Sequence, residues 1–507
     1  MKVYLATLGC KLNESELEGW ARQFASGRVE VVDDPRQADL CVLNTCTVTH
    51  IAARKSRQIA RQVARDNPQA RVILTGCYAS TAPEEAARLP NVALVVPNAD
   101  KDELVRLAGQ LLGDALYQTT ETGCRLPEAA SGLVQATGVG QQTPDEKRHT
   151  TEDREQKAAG GEGTSRLKEG GLWMPDGGKS RSASPSPQLR TRSFVKIMDG
   201  CNMSCTYCII PLARGKERSR PLSEIVDEVK TLVADGFKEI ILTGVQISVF
   251  ENIHDKLHGL RDLVAAILGE TGVPRLRLTS IAPWDLDESL LDLWSDPRLC
   301  RHVHLSLQSG CDTVLRRMRR PYTSEQFSRA VRLTRERIPD VGVTTDVIVG
   351  FPGESDVEFE MSLQFVESMQ FSRVHVFPYS AREGTVAARL PLRVAEAIKR
   401  ARVTEMQAVA EASARAFIRH FIGRTMDVLW ETGEPTANRS GNVGGESGDR
   451  GRPALIWSGY TDNYVRVLSE STANLHNQIA PVRLTRVEDD AAMGEWALGD
   501  EGLAPAK

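Results

Sequence analysis

Short apolar runs that alternate with amphipathic helical stretches constrain this chain more than any other feature. Residues 3–8, 40–44, 72–75 and 93–96 read as short buried strands, with helices over 14–26 and 51–66 between them. Such alternation predicts a parallel sheet with helices on its faces. The alternation resumes at Phe194, where strands are expected over 194–198, 239–243, 275–279, 302–307, 341–348 and 373–377. Helical stretches such as 223–235 and 324–337 separate them. Six βα units in about 225 residues fit an open or partial (β/α) barrel. Residues 425–431, 454–457, 463–468 and 478–487 then read as strands of a small β-barrel, with the Gly-rich 432–452 as a long loop.

Between the first two regions the pattern fails. Within residues 141–190 only 8 of 50 residues are apolar, too few to offset the entropy of ordering them. The expected organisation is an open parallel α/β domain over 1–117, a disordered linker or insertion over 118–190, a barrel core over 191–418, a small β-barrel over 419–488 and a tail over 489–507. A length of 507 residues agrees with three folded units at about 150 residues each. The apolar fraction of 41% excludes a chain disordered throughout, and a net charge of −4 excludes coating nucleic acid by overall positive charge. No run of about 18 apolar residues occurs, so no membrane span is expected. Leu8-Gly9-Cys10 has the look of a lipoprotein signal end, but the apolar stretch before it is too short for a signal core. A cytoplasmic enzyme is expected.

Ten cysteines are too sparse for a disulfide framework, and their spacing matters more than their number. Cys201, Cys205 and Cys208 form a C-x3-C-x2-C loop after an expected strand. Three thiolates so placed can ligate three irons of a four-iron four-sulfur cube and leave the fourth open. A zinc site would need a second Cys or His pair, and none accompanies this one. Cys10, Cys46 and Cys77 each follow an expected parallel strand, at the carboxyl edge where open α/β sheets place ligands. Three strand-end thiolates are candidates for a second cluster. Cys41, Cys124, Cys300 and Cys311 carry no motif.

The C-x3-C-x2-C loop, with Tyr207 between its last two cysteines, resembles the radical S-adenosylmethionine superfamily. Leu8-Gly9-Cys10, Asn44-Thr45-Cys46 and Thr75-Gly76-Cys77 resemble the N-terminal domain of the methylthiotransferases within it. Ile209-Ile210-Pro211, 214–221 and Gly459-Tyr460-Thr461-Asp462-Asn463-Tyr464 extend the likeness, the last in a segment similar to the RNA-binding TRAM barrel. The resemblance implies two four-iron clusters, one on Cys201, Cys205 and Cys208 and one on Cys10, Cys46 and Cys77, with S-adenosylmethionine chelated at the open iron of the first. It implies radical insertion of a methylthio group into the anticodon loop of tRNA, with an electron donor such as a flavodoxin or ferredoxin and a sulfur source as partners. Residues 209–215 and 242–248 look like the enzymes acting at C2 of N6-threonylcarbamoyladenosine; the Gly-Gln-Asn-Val segment of the isopentenyladenosine enzymes is absent. Alternatives are the isopentenyladenosine substrate, a ribosomal protein side chain, and a non-radical iron–sulfur module that binds RNA.

Thr243 and Gly244 at a strand end, with Ser306, Gln308 and Asp346, are candidate contacts to S-adenosylmethionine or substrate. Their alternative is hydrogen bonding within the barrel. His302 and His375 read as packed residues. Arg214, Lys216, Arg218, Arg220 and the run 316–320 are candidates for tRNA phosphates, and Tyr460 and Tyr464 for stacking on bases.

Overall fold

The computed structural model describes residues 1–112, 134–135, 181–182, 191–251, 259–435 and 454–496. The N-terminal unit runs β1 (Lys2–Thr7), α1 (Lys11–Ser26), β2 (Glu30–Val32), β3 (Leu40–Thr45), α2 (His50–Asp66), β4 (Arg71–Gly76), α3 (Cys77–Thr81), α4 (Pro83–Ala87), β5 (Val92–Val96) and α5 (Leu104–Leu112). Its strands pair in parallel in the order β2-β1-β3-β4-β5. All six residues of β3 are buried, which is why its sequence is a continuous run rather than an alternation. Tyr4, Ala6, Leu43 and Leu74 feed the core on one face, and Val3, Leu5, Val42 and Ile73 the core on the other. β6 (Val134–Gln135) adds antiparallel to β5, and β7 (Arg181–Ser182) antiparallel to β1. These two pieces fall in the expected linker; the rest of 118–190, and the disorder expected there, lie outside the described residues.

The central unit runs β8 (Arg192–Lys196), β9 (Met198–Asp199), α6 (Ile210–Arg214), β10 (Arg218–Ser219), α7 (Leu222–Ala234), β11 (Glu239–Thr243), α8 (Gly259–Glu270), β12 (Arg275–Leu278), β13 (Ser280–Ile281) and α9 (Glu288–Leu291). It continues through β14 (His302–Leu305), α10 (Asp312–Arg317), α11 (Ser324–Arg337), β15 (Gly342–Val349), α12 (Asp356–Met369), β16 (Arg373–Pro378) and α13 (Glu396–Arg419). Two parallel sheets, β12-β11-β8 and β13-β14-β15-β16, meet where Thr279 alone separates β12 from β13. With β12 and β13 taken as one strand interrupted at Thr279, the two sheets form a six-stranded partial barrel. The edge strand β8 would expose unpaired backbone, and α1 covers it. Ser15 Oγ donates to Phe194 O at 2.8 Å and accepts from Lys196 N at 3.0 Å, while Glu18 accepts from Ser193 Oγ at 2.8 Å.

Five antiparallel-rich strands, β17 (Thr425–Pro435), β18 (Leu455–Thr461), β19 (Arg466–Ser471), β20 (Ile479–Glu488) and β21 (Ala491–Glu495), close in the order β17-β18-β19-β21-β20. The sequence reading ended this unit at 488 and left 489–507 as tail. That boundary is too early: β21 bridges β20 and β19, and without it the barrel stays open. The strand was hidden by its composition, Ala-Ala-Met-Gly-Glu, which has no β-branched residue. The small barrel docks on the floor of the core, where Arg275 donates to Tyr460 O and Asp427 O and Arg277 to Asp462 O.

Candidate active site: two cysteine sets on one cavity

Cys10, Cys46 and Cys77 follow β1, β3 and β4, adjacent strands of one sheet. Cys10 is the N-cap of α1 and Cys77 the first residue of α3, so each thiol stands at a helix start. Gly9 and Gly76 make the turns. At Gly9, with φ +128°, a Cβ would lie 3.0 Å from Cys46 Cβ and 3.2 Å from its Sγ. At Gly76, with φ +96°, it would lie 2.2 Å from Thr45 O. The thiols of the set repel one another as thiolates, and burial pushes Cys46 up to about 12. Coordination to iron deprotonates a thiol outright and offsets that cost.

Cys201, Cys205 and Cys208 lie on the loop between β9 and α6, all three free and partly buried. Met203 N–H donates to Cys201 Sγ at 3.4 Å, and burial raises the Cys208 thiol to about 12. Arg320 Nη1 donates to Cys205 Sγ at 3.4 Å. Its guanidinium is stacked 5.1 Å from the Trp284 and Tyr322 rings and bonds Ser306 O and the Tyr322 hydroxyl. Sequence alone offers this arginine to tRNA phosphates; the structure half-buries it beside a cluster cysteine. Among the described residues no three His, Cys, Asp or Glu could hold a single metal ion. A cube makes a different demand, since its three thiolates each take a different iron. Both cysteine sets fit the group by donor type, by their lack of disulfides and by the polar contacts to sulfur.

A cavity of about 480 Å³ joins the two sets. Cys10 and Cys46 line it from one side and Cys208, with Tyr207, from the other. Of the expected contacts, Thr243, Gly244, Gln308 and Asp346 line the wall. Ser306 does not; its hydroxyl stands 3.5 Å from His304 Nε2 behind the wall. Alternate residues of β14, β15 and β16 face inward and form a polar floor. His302 Nε2 and His304 Nδ1 share Thr344 Oγ1 at 3.0 and 2.9 Å, and His304 Nε2 meets Asp346 Oδ2 at 3.3 Å. His304 beside Asp346 holds that carboxyl below the usual range against the opposing effect of burial. Burial holds His375 down at about 4, so this lining imidazole is neutral at pH 7. His302 packs against the Tyr464 ring at 4.8 Å, but it and His375 both line the cavity rather than being packed away from it.

The contacts that sequence reasoning missed lie between the two halves. Arg214, 2% exposed, donates to Glu16 Oε1 at 3.1 Å, to Asp199 at 3.0 Å and to Asn13 Oδ1 at 2.6 Å. Lys101 adds a 2.5 Å contact to Glu16, holding the Glu16 carboxyl far below its usual range despite burial. Asn98 Nδ2 donates to Ala213 O at 2.7 Å and to Cys77 Sγ at 3.7 Å. Arg214 is therefore not a phosphate contact. The one available signal was the polar run of α1, Asn13-Glu14-Ser15-Glu16, whose members are all buried. Tyr460 and Tyr464 also turn inward: the Arg277 guanidinium sits 4.2 Å from the Tyr464 ring and that of Arg192 5.1 Å from the Tyr460 ring.

Residues 195–366 match the Radical SAM superfamily, and residues 2–97 match a family described as Uncharacterized protein family UPF0004. The class is thus a radical S-adenosylmethionine enzyme with an added N-terminal domain. The radical S-adenosylmethionine methyltransferase TsrM of Kitasatospora setae shares the fold, with a TM-score of 0.50 and 18% identity over 74% of this chain and 72% of its own. The threonylcarbamoyladenosine tRNA methylthiotransferase MtaB of Bacillus subtilis is 31% identical over 95% of this chain and 93% of its own length. That of Aquifex aeolicus is 35% identical over 85% and 92%. A tRNA-2-methylthio-N(6)-dimethylallyladenosine synthase of Akkermansia muciniphila is 30% identical over 95% and 96%. The chain belongs to the methylthiotransferase family of radical S-adenosylmethionine enzymes. Its cofactors are S-adenosylmethionine and four-iron four-sulfur clusters.

Proposed function

We propose that this chain replaces the hydrogen at C2 of N6-threonylcarbamoyladenosine, at position 37 of tRNA, with a methylthio group. The observation that carries the reading is the shared cavity, lined by Cys10 and Cys46 of one set and Cys208 of the other. Family membership supports the reaction, and residues 209–215 and 242–248 support the nucleoside. Bound at Cys201, Cys205 and Cys208 and at Cys10, Cys46 and Cys77, the clusters supply the electron that cleaves S-adenosylmethionine and the sulfur that is transferred. The chain's own residues bind, orient and exclude water. Thr243 and Gly244 offer backbone groups at the wall, Gln308 and Asp346 offer side chains, and Ser306 steadies His304 from behind. Ile210, Val245, Ile348 and Phe377 keep the remaining wall apolar.

The reaction needs an electron donor, such as a flavodoxin or ferredoxin, and a sulfur source. A tRNA substrate puts the work in the cytoplasm; among the described residues no helix is long and apolar enough to cross a membrane. The test is mass spectrometry of tRNA nucleosides from a strain lacking the gene. The 2-methylthio form of N6-threonylcarbamoyladenosine should vanish and return on complementation. Its persistence, with loss of the isopentenyl counterpart or of a ribosomal protein mark, would overturn the substrate assignment.

A further inference from the structure

Half of the eight basic residues expected to meet tRNA are buried or tied to partners within the protein, while Lys216, Arg218, Arg316 and Arg319 stay exposed. Arg214 is buried, Arg220 pairs with Glu228, Arg317 with Glu358, and Arg320 bonds Cys205. On the small barrel Arg424, Arg466 and Arg486 pair with Asp340, Asp490 and Glu488. The N-terminal unit carries a different feature. Helix α2 holds five Lys or Arg (Arg54, Lys55, Arg57, Arg61 and Arg65) against one acid, Asp66, in a chain whose net charge is −4.

At 100° per residue Arg54, Arg61 and Arg65 fall within about 40° of one line, and Gln58 joins them. All three arginines are exposed, and no ion pair or side-chain hydrogen bond is found for them among the described residues. The stripe spans about 17 Å at 1.5 Å per residue. Nothing in the helix's own stability calls for it. Arg57, Arg61 and Arg65 stand four apart as like charges, which repel, and Arg54 lies near the positive end of the helix dipole with no acid in the first turn. The opposite face is buried through Ala52, Ala53, Ser56, Ala60, Val63 and Ala64, which fixes the stripe outward.

The stripe also begins at the cavity. Val48 and Thr49, just before α2, line it beside Cys46; Val48 is 45% exposed there, and Ile51, in the first turn of α2, is 60% exposed. We infer that α2 is a backbone-binding surface for the tRNA strand that delivers its base to the cavity: Arg54, Arg61 and Arg65 meet successive phosphates while Val48 and Ile51 lie under the displaced base. This rests on the reading of tRNA as substrate. It assigns the N-terminal unit, rather than the small barrel alone, a direct hold on the RNA.

The test uses reconstituted full-length protein and tRNA bearing N6-threonylcarbamoyladenosine, with affinity measured across a salt series. The variant Arg54→Gln/Arg61→Gln/Arg65→Gln keeps helix propensity at exposed positions. Each lost phosphate contact takes about 0.7 from the log–log salt slope for single strands, so the slope should become shallower by about 2 and affinity at low salt should fall at least tenfold. Unchanged iron content and thermal midpoint check its fold. Hydroxyl-radical footprinting of the unmutated protein gives an independent arm: α2 should be protected by tRNA. Equal affinity and slope, or an unprotected α2, would overturn the inference while leaving the function standing. Slower reduction by an acidic electron carrier with unchanged tRNA binding would hand the stripe to the reductant, and would also overturn it. No tRNA binding by the unmutated protein would remove the function and the inference together.

Discussion

Arg214→Met tests the join between the two cysteine-bearing halves. The change removes a guanidinium that is 1% exposed and touches Glu16, Asp199 and Asn13. Breaking a buried pair by removing one partner costs about 3–5 kcal/mol, because the remaining charge stays buried. Glu16 keeps Lys101 at 2.5 Å and Lys196 at 3.7 Å, and Asp199 keeps Lys196 at 4.0 Å and the Gly200 N–H at 2.8 Å. The lower end, about 3 kcal/mol, is therefore expected. The unfolding of a multidomain chain is not one transition. Amide exchange along α1 reports opening of the interface directly, and should speed by about two orders of magnitude at 1.4 kcal/mol per decade. Glu16→Gln completes a cycle: the double variant should cost about 1–2 kcal/mol less than the sum of the singles. Additive costs, or unchanged α1 protection, would refute the reasoning. Methylthiolation should be lost while cleavage of S-adenosylmethionine survives, since the network touches neither Cys201, Cys205 nor Cys208.

Reconstituted protein should hold about eight irons, and replacing Cys201, Cys205 and Cys208 by Ala should leave about half and abolish S-adenosylmethionine cleavage; retained cleavage would sink the cluster assignment. His375 lies among Asp346, His304, Arg373 and Lys11, and its folded value of about 4 lies below the ordinary 6.5. The unfolded chain binds the extra proton between those values, so the stability His375 contributes is complete above pH 6.5 and lost as pH falls toward 4. His375→Phe should flatten that limb of a stability–pH profile, by up to about 3 kcal/mol. Truncation after Arg419 should lower the thermal midpoint of the core as well as tRNA affinity, because Arg275 and Arg277 lose carbonyl acceptors on the small barrel. An unchanged core midpoint would show the docking to be dispensable.

The strands were legible because parallel strands buried on both faces are written as short unbroken apolar runs, and β1, β3, β4 and β11 have that form. The cysteine loop was legible because its ligands are neighbours in sequence. Cys10, Cys46 and Cys77 became a set only through the rule that strand ends gather ligands. The contacts between units were not legible. Ser15 and Phe194 lie 179 residues apart and Asn13 and Arg214 201 apart, and no local pattern encodes such pairs. A charged run on a helix reads as a solvated face, yet Glu16 and Glu18 are buried because a guanidinium and a strand edge need their oxygens. Arg214 failed in the same way: an arginine read as surface by composition is placed inside by partners the sequence does not announce.

Those buried partners explain how two cysteine sets from separate units come to face one cavity. An apolar interface between α1 and β8 would tolerate sliding, since dispersion contacts have little direction. Hydrogen bonds and buried charges do not: a shift of one residue along β8 would strand Ser15, Glu18 and the Arg214 pairs without acceptors or donors, at a cost of about 1–3 kcal/mol for each buried group left unpaired. The network therefore acts as a register pin. It is also wired to the cysteines themselves, through Asn13 beside Cys10 and Asn98 beside Cys77, so the alignment of the halves and the setting of the N-terminal thiols depend on the same side chains.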